Sequence, residues 1–268
     1  MLKKLRVFFK ILTLLVITIV LGYSFFLVKN FKFEKSSNRD FNELKKVQFS
    51  TNGTITSRWL ANNLGLKKGL DLFDLDILEI RKKLENVQQI KEVSIEKIFP
   101  DTLLIKIEER VPLLKFFVMI DGQKKLLFVD KNDGEIFEPV QLERYDLSHI
   151  LSANLLLKQN SSSVGRFIPI SGINKINRLV SVLINDFPEI FSKVKCLDLR
   201  DYDSRDDAQW SRIKLELDNG IIAVLGNENF SNQLMHLEFL IEEKCKNNLH
   251  NIKKIDVTSL KDAIVEYK

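Results

Sequence analysis

Apolar and polar residues change rhythm several times along the chain, and each change marks an element. Residues 11–28, ILTLLVITIVLGYSFFLV, carry no charge. A helix of that length covers about 27 Å, enough to cross the hydrocarbon of a bilayer. Residues 29–43 are polar and aperiodic, which predicts a tether. Val47 and Phe49 then alternate into Thr51-Asn52-Gly53, a strand and a turn. Ile55, Trp59, Leu60 and Leu64 recur at helical spacing, with Thr54 or Thr56 as the cap. After a loop marked by Gly65 and Gly69, Leu72, Phe73 and Leu75 lead to Asp76, which with Glu79 reads as a capping box. Ile77, Ile80, Leu84 and Val87 form the buried stripe of that second helix. Val93 and Ile95, a Pro100-Asp101 turn, and Leu103, Ile105 and Ile107 predict a hairpin.

From Val111 onward strands dominate. Leu113–Ile120 and Leu126–Val129 flank Asp121-Gly122, and Glu135–Phe137 follows Asn132-Asp133-Gly134. Residues 138–172 give no readable pattern. Ile173, Ile176, Val180, Leu183, Ile184 and Phe187 predict a helix that stops at Pro188, and Val194–Leu199 a strand after it. Ile213, Leu215 and Leu217 alternate into Asp218-Asn219-Gly220, with Ile221–Leu225 returning as a hairpin. Phe230–Lys246 reads as a helix, and Ile252–Val257 and Ala263–Tyr267 as the last two strands.

Composition sharpens this picture. The 268 residues are 45% hydrophobic and 29% charged, a globular balance with room for more than one core. Ten Gly and five Pro leave no long low-complexity linker between domains. The net charge of +5 is concentrated at the start: Lys3, Lys4, Arg6 and Lys10 precede the charge-free stretch, and no acid accompanies them. Residues 29–268 hold 37 cations against 36 acids, so a nearly neutral body does not track phosphates, and no nucleic acid partner is expected. The basic flank orients the span with its amino end in the cytoplasm and the remaining residues outside. Gly22-Tyr23-Ser24 offers small residues to a signal peptidase, but Phe25-Phe26-Leu27-Val28 follows where a cleavage region turns polar. A retained anchor is expected, with a cleaved signal as its rival.

Chemistry is sparse. His149, His236 and His250 stand apart from any Ser, Asp or Cys pattern of a triad. Cys196 and Cys245 lack metal-ligand spacing; in an oxidising compartment they either pair across about fifty residues or stay free, one on a strand and one on a helix. Gly65-x-x-x-Gly69 lacks the Lys-Ser/Thr of a phosphate loop. Acid pairs such as Glu108-Glu109 and Asp206-Asp207 read as solvated faces. No catalytic, cofactor-binding or metal-binding set is expected.

The block Leu72–Pro112, LFDLDILEIRKKLENVQQIKEVSIEKIFPDTLLIKIEERVP, resembles the POTRA domain of the bacterial division protein family FtsQ (DivIB). Pro100-Asp101-Thr102-Leu103 and Glu109-Arg110-x-Pro112 are its most specific pieces. The family's second domain is echoed by Leu127-Phe128-Val129-Asp130 through Gly134-Glu135-Ile136-Phe137, by Leu215-x-Leu217-x-Asn219-Gly220 with Leu225-Gly226, and by Lys254-Ile255-Asp256-Val257. Val87-Gln88-Gln89-Ile90 departs from the family, which commonly places a Pro-Trp-Val stretch there.

The resemblance implies an α+β chain in five parts. These are a cytoplasmic start (1–10), a single transmembrane helix (11–28), a tether (29–43), a β-α-α-β-β POTRA domain (44–112) and a mainly-β domain with packed helices (113–268). It implies a single-pass inner-membrane protein of type II topology, held at the division septum. Such a scaffold recruits FtsB and FtsL for septal peptidoglycan synthesis, without catalysis and without a cofactor; its self-association stays open. An edge strand is suited to this work because its unpaired main chain accepts a partner segment. The carboxyl-terminal strand is the candidate edge. Tyr267 falls where a family aromatic anchors FtsB, Ser259 stands where a tyrosine is typical, and Arg212, on a preceding strand, resembles a family arginine of the same surface. Two rivals remain: an envelope assembly or secretion factor built on a POTRA unit, and an anchored envelope hydrolase.

Overall fold

A computed structural model of the chain describes residues 42–67, 69–158, 167–203, 210–244, 249–259 and 261–268. The expected membrane span, 11–28, and the tether up to residue 41 lie outside them. Among the described residues no helix is long and apolar enough to cross a membrane. The fold is α+β, with a strand-rich carboxyl-terminal part.

The first elements follow the order that periodicity predicts: β1 (Lys46–Thr51), α1 (Ser57–Leu64), α2 (Ile77–Glu85), β2 (Ile90–Ile98) and β3 (Thr102–Glu109). The strands form a three-stranded sheet in the order β1-β3-β2. Of the two cap candidates, Thr56 starts α1, its Oγ1 accepting from Trp59 N at 3.2 Å. Gly65 closes that helix in the left-handed conformation. Asp76 caps α2 by accepting from Leu78 N and Glu79 N. The capping box is only half formed, because Glu79 turns along the helix to pair with Lys83 at 2.7 Å.

Two compact units divide the chain. Of the described residues, the first gathers 42–48, 66–75 and 96–104. Within it Leu44 N donates to Leu70 O at 2.8 Å and Leu72 N to Asn42 O at 2.9 Å, and Glu43 and Asp71 form an antiparallel bridge. Lys45 N and Lys46 N both donate to Asp101 O. Leu44, Leu72 and Leu103 are its buried hydrophobic residues.

The second unit takes 49–65, 76–95 and everything described from 105 onward. Its nine-stranded sheet comprises β4 (Pro112–Ile120), β5 (Gln123–Asp130), β6 (Ile136–Phe137), β7 (Leu151–Asn154), β8 (Val194–Asp198), β9 (Ile213–Leu217), β10 (Ile222–Leu225), β11 (Ile252–Asp256) and β12 (Ile264–Tyr267). They lie in the order β12-β11-β10-β9-β8-β7-β4-β5-β6. The β4/β7, β7/β8 and β10/β11 pairs are parallel and the others antiparallel. Helices α3 (Ile173–Asp186), α4 (Pro188–Lys193) and α5 (Phe230–Phe239) complete the unit. Leu179 and Leu183 of α3 and Leu234 and Leu237 of α5 join Leu114, Leu197, Leu215 and Ile255 in the main core on one sheet face. Alternation sends Phe128 to the other face, where it meets Phe137 and Tyr145 edge-on.

One expectation needs correction, and two stretches gain detail. The helix predicted to stop at Pro188 ends at Asp186, and Pro188 opens the short α4, where its missing N–H costs nothing, ahead of the predicted strand. The helix from Phe230 is α-helical only to Phe239 and widens into a π turn over Leu240–Lys244. The unreadable stretch holds β7, a central strand of four residues whose Leu151 and Ala153 point into the core.

Acid patterning misled most at Glu108-Glu109. Glu108 is solvated and pairs with Lys91 at 2.7 Å. Glu109 is instead buried, and every partner of its carboxylate is a neutral donor. Thr51 Oγ1 donates to it, as do Thr54 N (2.8 Å), Ile55 N (2.9 Å) and Gln89 Nε2 (2.6 Å). Asn52 clasps the Glu109 backbone, accepting from its N–H at 2.6 Å. The other side of Gln89 accepts from Val140 N at 2.8 Å, and Gln141 Oε1 accepts from Thr56 N at 2.9 Å. A carboxylate surrounded by donors is the residue type this turn needs, since it accepts at every lone pair.

Candidate partner-binding edge

β12 lies at one end of the nine-stranded sheet, bonded only to β11 among the described strands. Their antiparallel register sets Asp256 opposite Ile264, Ile255 opposite Val265, Lys254 opposite Glu266 and Ile252 opposite Tyr267, with a bulge between Ile252 and Lys254. The outer rim of β12 therefore presents main-chain groups that a further strand can use. Two large side chains of β12 are exposed, on opposite faces of the strand: Ile264 is 69% exposed and Tyr267 58%. Lys253 pairs with Glu266 at 2.6 Å and holds that carboxylate below its usual range, first by hydrogen bonding and then by charge. The last residue closes the strand, Lys268 N donating to Asn251 O at 2.8 Å.

The three sequence-predicted residues divide between two places. Ser259 sits in the turn between β11 and β12, where its Oγ accepts from Lys261 N and Asp262 N. Arg212 lies immediately before β9 rather than on a strand, its backbone N donating to Asp201 O and its guanidinium to Ser211 O. Arg212 and Ser259 line one polar cleft with Asn227, Asn229 and Thr258. Below it Gln233 accepts from Gly226 N and donates to Glu228 O, fixing the loop that enters α5. Tyr267 is not part of this cleft. It is three residues along β12 from Ile264, a span of about 10 Å. The carboxyl-terminal strand expected to be an edge is one among the described strands, but sequence reasoning missed Ile264, which the alternation beginning at Ala263 already places on that strand.

The remaining candidates are ordinary structural residues. His149 is exposed beside Asp146 at 3.4 Å, and the His250 carbonyl accepts from Lys268 Nζ. Cys196 is buried and free on β8, while Cys245 and the Asp206-Asp207 pair lie outside the described residues. Among the described residues no group of three His, Cys, Asp or Glu could hold a metal ion.

Residues 42–110 match the family model described as "POTRA domain, FtsQ-type". The chain is similar to the cell division protein FtsQ of Syntrophotalea carbinolica, 24% identical over 230 residues, covering 85% of this chain and 74% of the relative. The FtsQ of Rickettsia bellii is 25% identical over 226 residues, covering 84% and 72%. That of Rhizobium radiobacter is 27% identical over 182 residues, covering 68% and 72%. The β-α-α-β-β start, the FtsQ-type POTRA model matched to it and relatives aligned along most of the chain agree: residues 42–110 carry an FtsQ-type POTRA domain, and the chain is similar to cell division proteins named FtsQ.

Proposed function

We propose that the protein is a membrane-anchored, non-catalytic scaffold of the division machinery, single-pass through residues 11–28, with its body on the outer face of the inner membrane at the septum. In this reading residues 44–112 form the POTRA domain and 113–268 a separate partner-binding domain. The partners are FtsB and FtsL, single-span proteins that supply an extended segment to the rim of β12. The observation that carries the reading is an edge strand, bonded to β11 alone among the described strands and bearing two exposed side chains, Ile264 and Tyr267. Strand addition needs such a rim, with main-chain bonds for affinity and outward side chains for specificity. Arg212 and Ser259 contribute a polar margin beyond the Ile264 end of the strand.

The test is depletion followed by rescue. Cells lacking the protein grow as filaments, the full chain restores septa, and a chain truncated before Ala263 reaches the membrane but neither captures FtsB and FtsL nor restores division. Normal division without the protein sinks the scaffold role, and undiminished capture by the truncated chain removes β12 from it.

A further inference from the structure

The first unit carries apolar surface that its own core does not use. Phe73 is 61% exposed and Phe99 50%, yet their rings pack against each other, tilted by 34° with centroids 4.6 Å apart. Leu70 and Ile98, beside them in sequence, are exposed as well. Two aromatic rings paired in water with half their surface uncovered mark a contact site rather than a core.

The path of the chain says what covers them. Asn42 and Leu44 are hydrogen-bonded to the 70–72 segment, so the chain leading from the expected span runs directly along the strip that bears Leu70 and Phe73. On the other side Lys45 N and Lys46 N hold the carbonyl of Asp101, two residues from Phe99. Residues 29–41 number thirteen and reach at most about 45 Å when fully extended, which keeps this patch close to the membrane surface. The patch is small beside the roughly 800 Å² per partner that a stable protein interface uses, whereas a bilayer needs only a few inserted side chains.

We propose that Phe73 and Phe99, with Leu70 and Ile98 around them, rest in the headgroup region of the outer leaflet and hold the first unit against the lipid. The inference rests on the membrane-anchored reading above. Lys97, whose Nζ donates to Phe73 O at 3.1 Å, and the exposed Lys45, Lys46 and Lys67 can reach headgroup phosphates while their stems follow the apolar surface. Glu43, Asp71, Asp74, Glu96 and Asp101 balance them within the unit, so the rings carry the contact and added salt weakens it little.

The experiment uses the full chain in vesicles of phosphatidylethanolamine and phosphatidylglycerol containing a headgroup-labelled nitroxide lipid. A fluorophore is attached at Phe99→Cys, or at Lys261→Cys as the reference position, with Cys196 and Cys245 replaced by Ser. The expected result is quenching at position 99 at least about twofold above position 261, reduced to the reference level by Phe73→Ser and nearly unchanged by 0.5 M salt. Carbonate extraction of the same vesicles separates the two readings. A chain that carbonate releases overturns the anchor and this inference with it. A retained chain with equal quenching at both positions overturns the lipid contact alone. Protection of position 99 that arises only when other division proteins are added also overturns it, assigning the rings to a protein partner.

Discussion

Gln89 Nε2 donates to Glu109 Oε2 across 2.6 Å, with both side chains sealed from water. The same amide group donates to Thr54 Oγ1 at 2.9 Å while its oxygen accepts from Val140 N, so one glutamine ties the turn after β1 to the segment after β6. In Glu109→Gln an acceptor-only group gains two donors, and at least one N–H of the turn is left facing another N–H. The substitution is expected to cost about 3 kcal/mol in urea unfolding, with Gln89→Ala losing somewhat less. A change below about 0.5 kcal/mol in both would show that the network contributes nothing to stability.

Gly134 and Gly122 separate backbone strain from steric clash. Both have positive φ, 72° and 76°. A Cβ on Gly134 would stand 2.3 Å from the Ile170 carbonyl oxygen, whereas nothing lies within 4 Å of one on Gly122. Gly122→Ala is expected to cost about 1 kcal/mol and Gly134→Ala at least about 2 kcal/mol more, read as midpoints of thermal or urea denaturation. Equal losses would refute the close approach.

Cys196 gives the fold a dependence on alkaline pH. Burial, with help from Glu216 and Asp198, pushes its thiol from 9.0 up to about 11. Between these values the unfolded chain has released the proton and the folded one still holds it, so this contribution to stability is intact below pH 9 and is lost as pH rises to about 11. Unfolding midpoints measured from pH 7 to 11 should fall faster for the native chain than for Cys196→Ala. Parallel curves would contradict the shift.

Ile264 and Tyr267 are exposed, so removing them should leave stability within about 0.5 kcal/mol of the native value. Partner capture should respond instead. Ile264→Asp is expected to weaken binding of an FtsB-type segment about tenfold or more, by setting an unpaired charge on the strand that receives it. Binding that survives Ile264→Asp together with Tyr267→Ala would leave β12 without its two anchors.

Legibility differed by element. The hairpins of β4 with β5 and of β9 with β10 were readable because alternation and Gly-containing turns are local signals that tertiary packing did not override. β7 was not, since Leu-Ser-Ala-Asn is too short to show a period and its pairing with β4 and β8 joins residues dozens of positions apart. Among the site residues, Ser259 and Arg212 approach each other only because parallel β10/β11 pairing carries their two turns to the same end of the sheet.

By itself the sequence determined the β-α-α-β-β start, the cap at Asp76, most of the later strands and the likeness to FtsQ, all of which rest on spacing and turn chemistry within a few residues, and it narrowed the first cap to Thr54 or Thr56. Tertiary structure alone decided that Glu109 is buried while Glu108 is solvated, that Leu151–Asn154 is a central strand, and that Phe73 finds Phe99 instead of a core. The reason is physical: periodicity records which side of an element is apolar, but burial and free edges depend on which distant element arrives to cover that side.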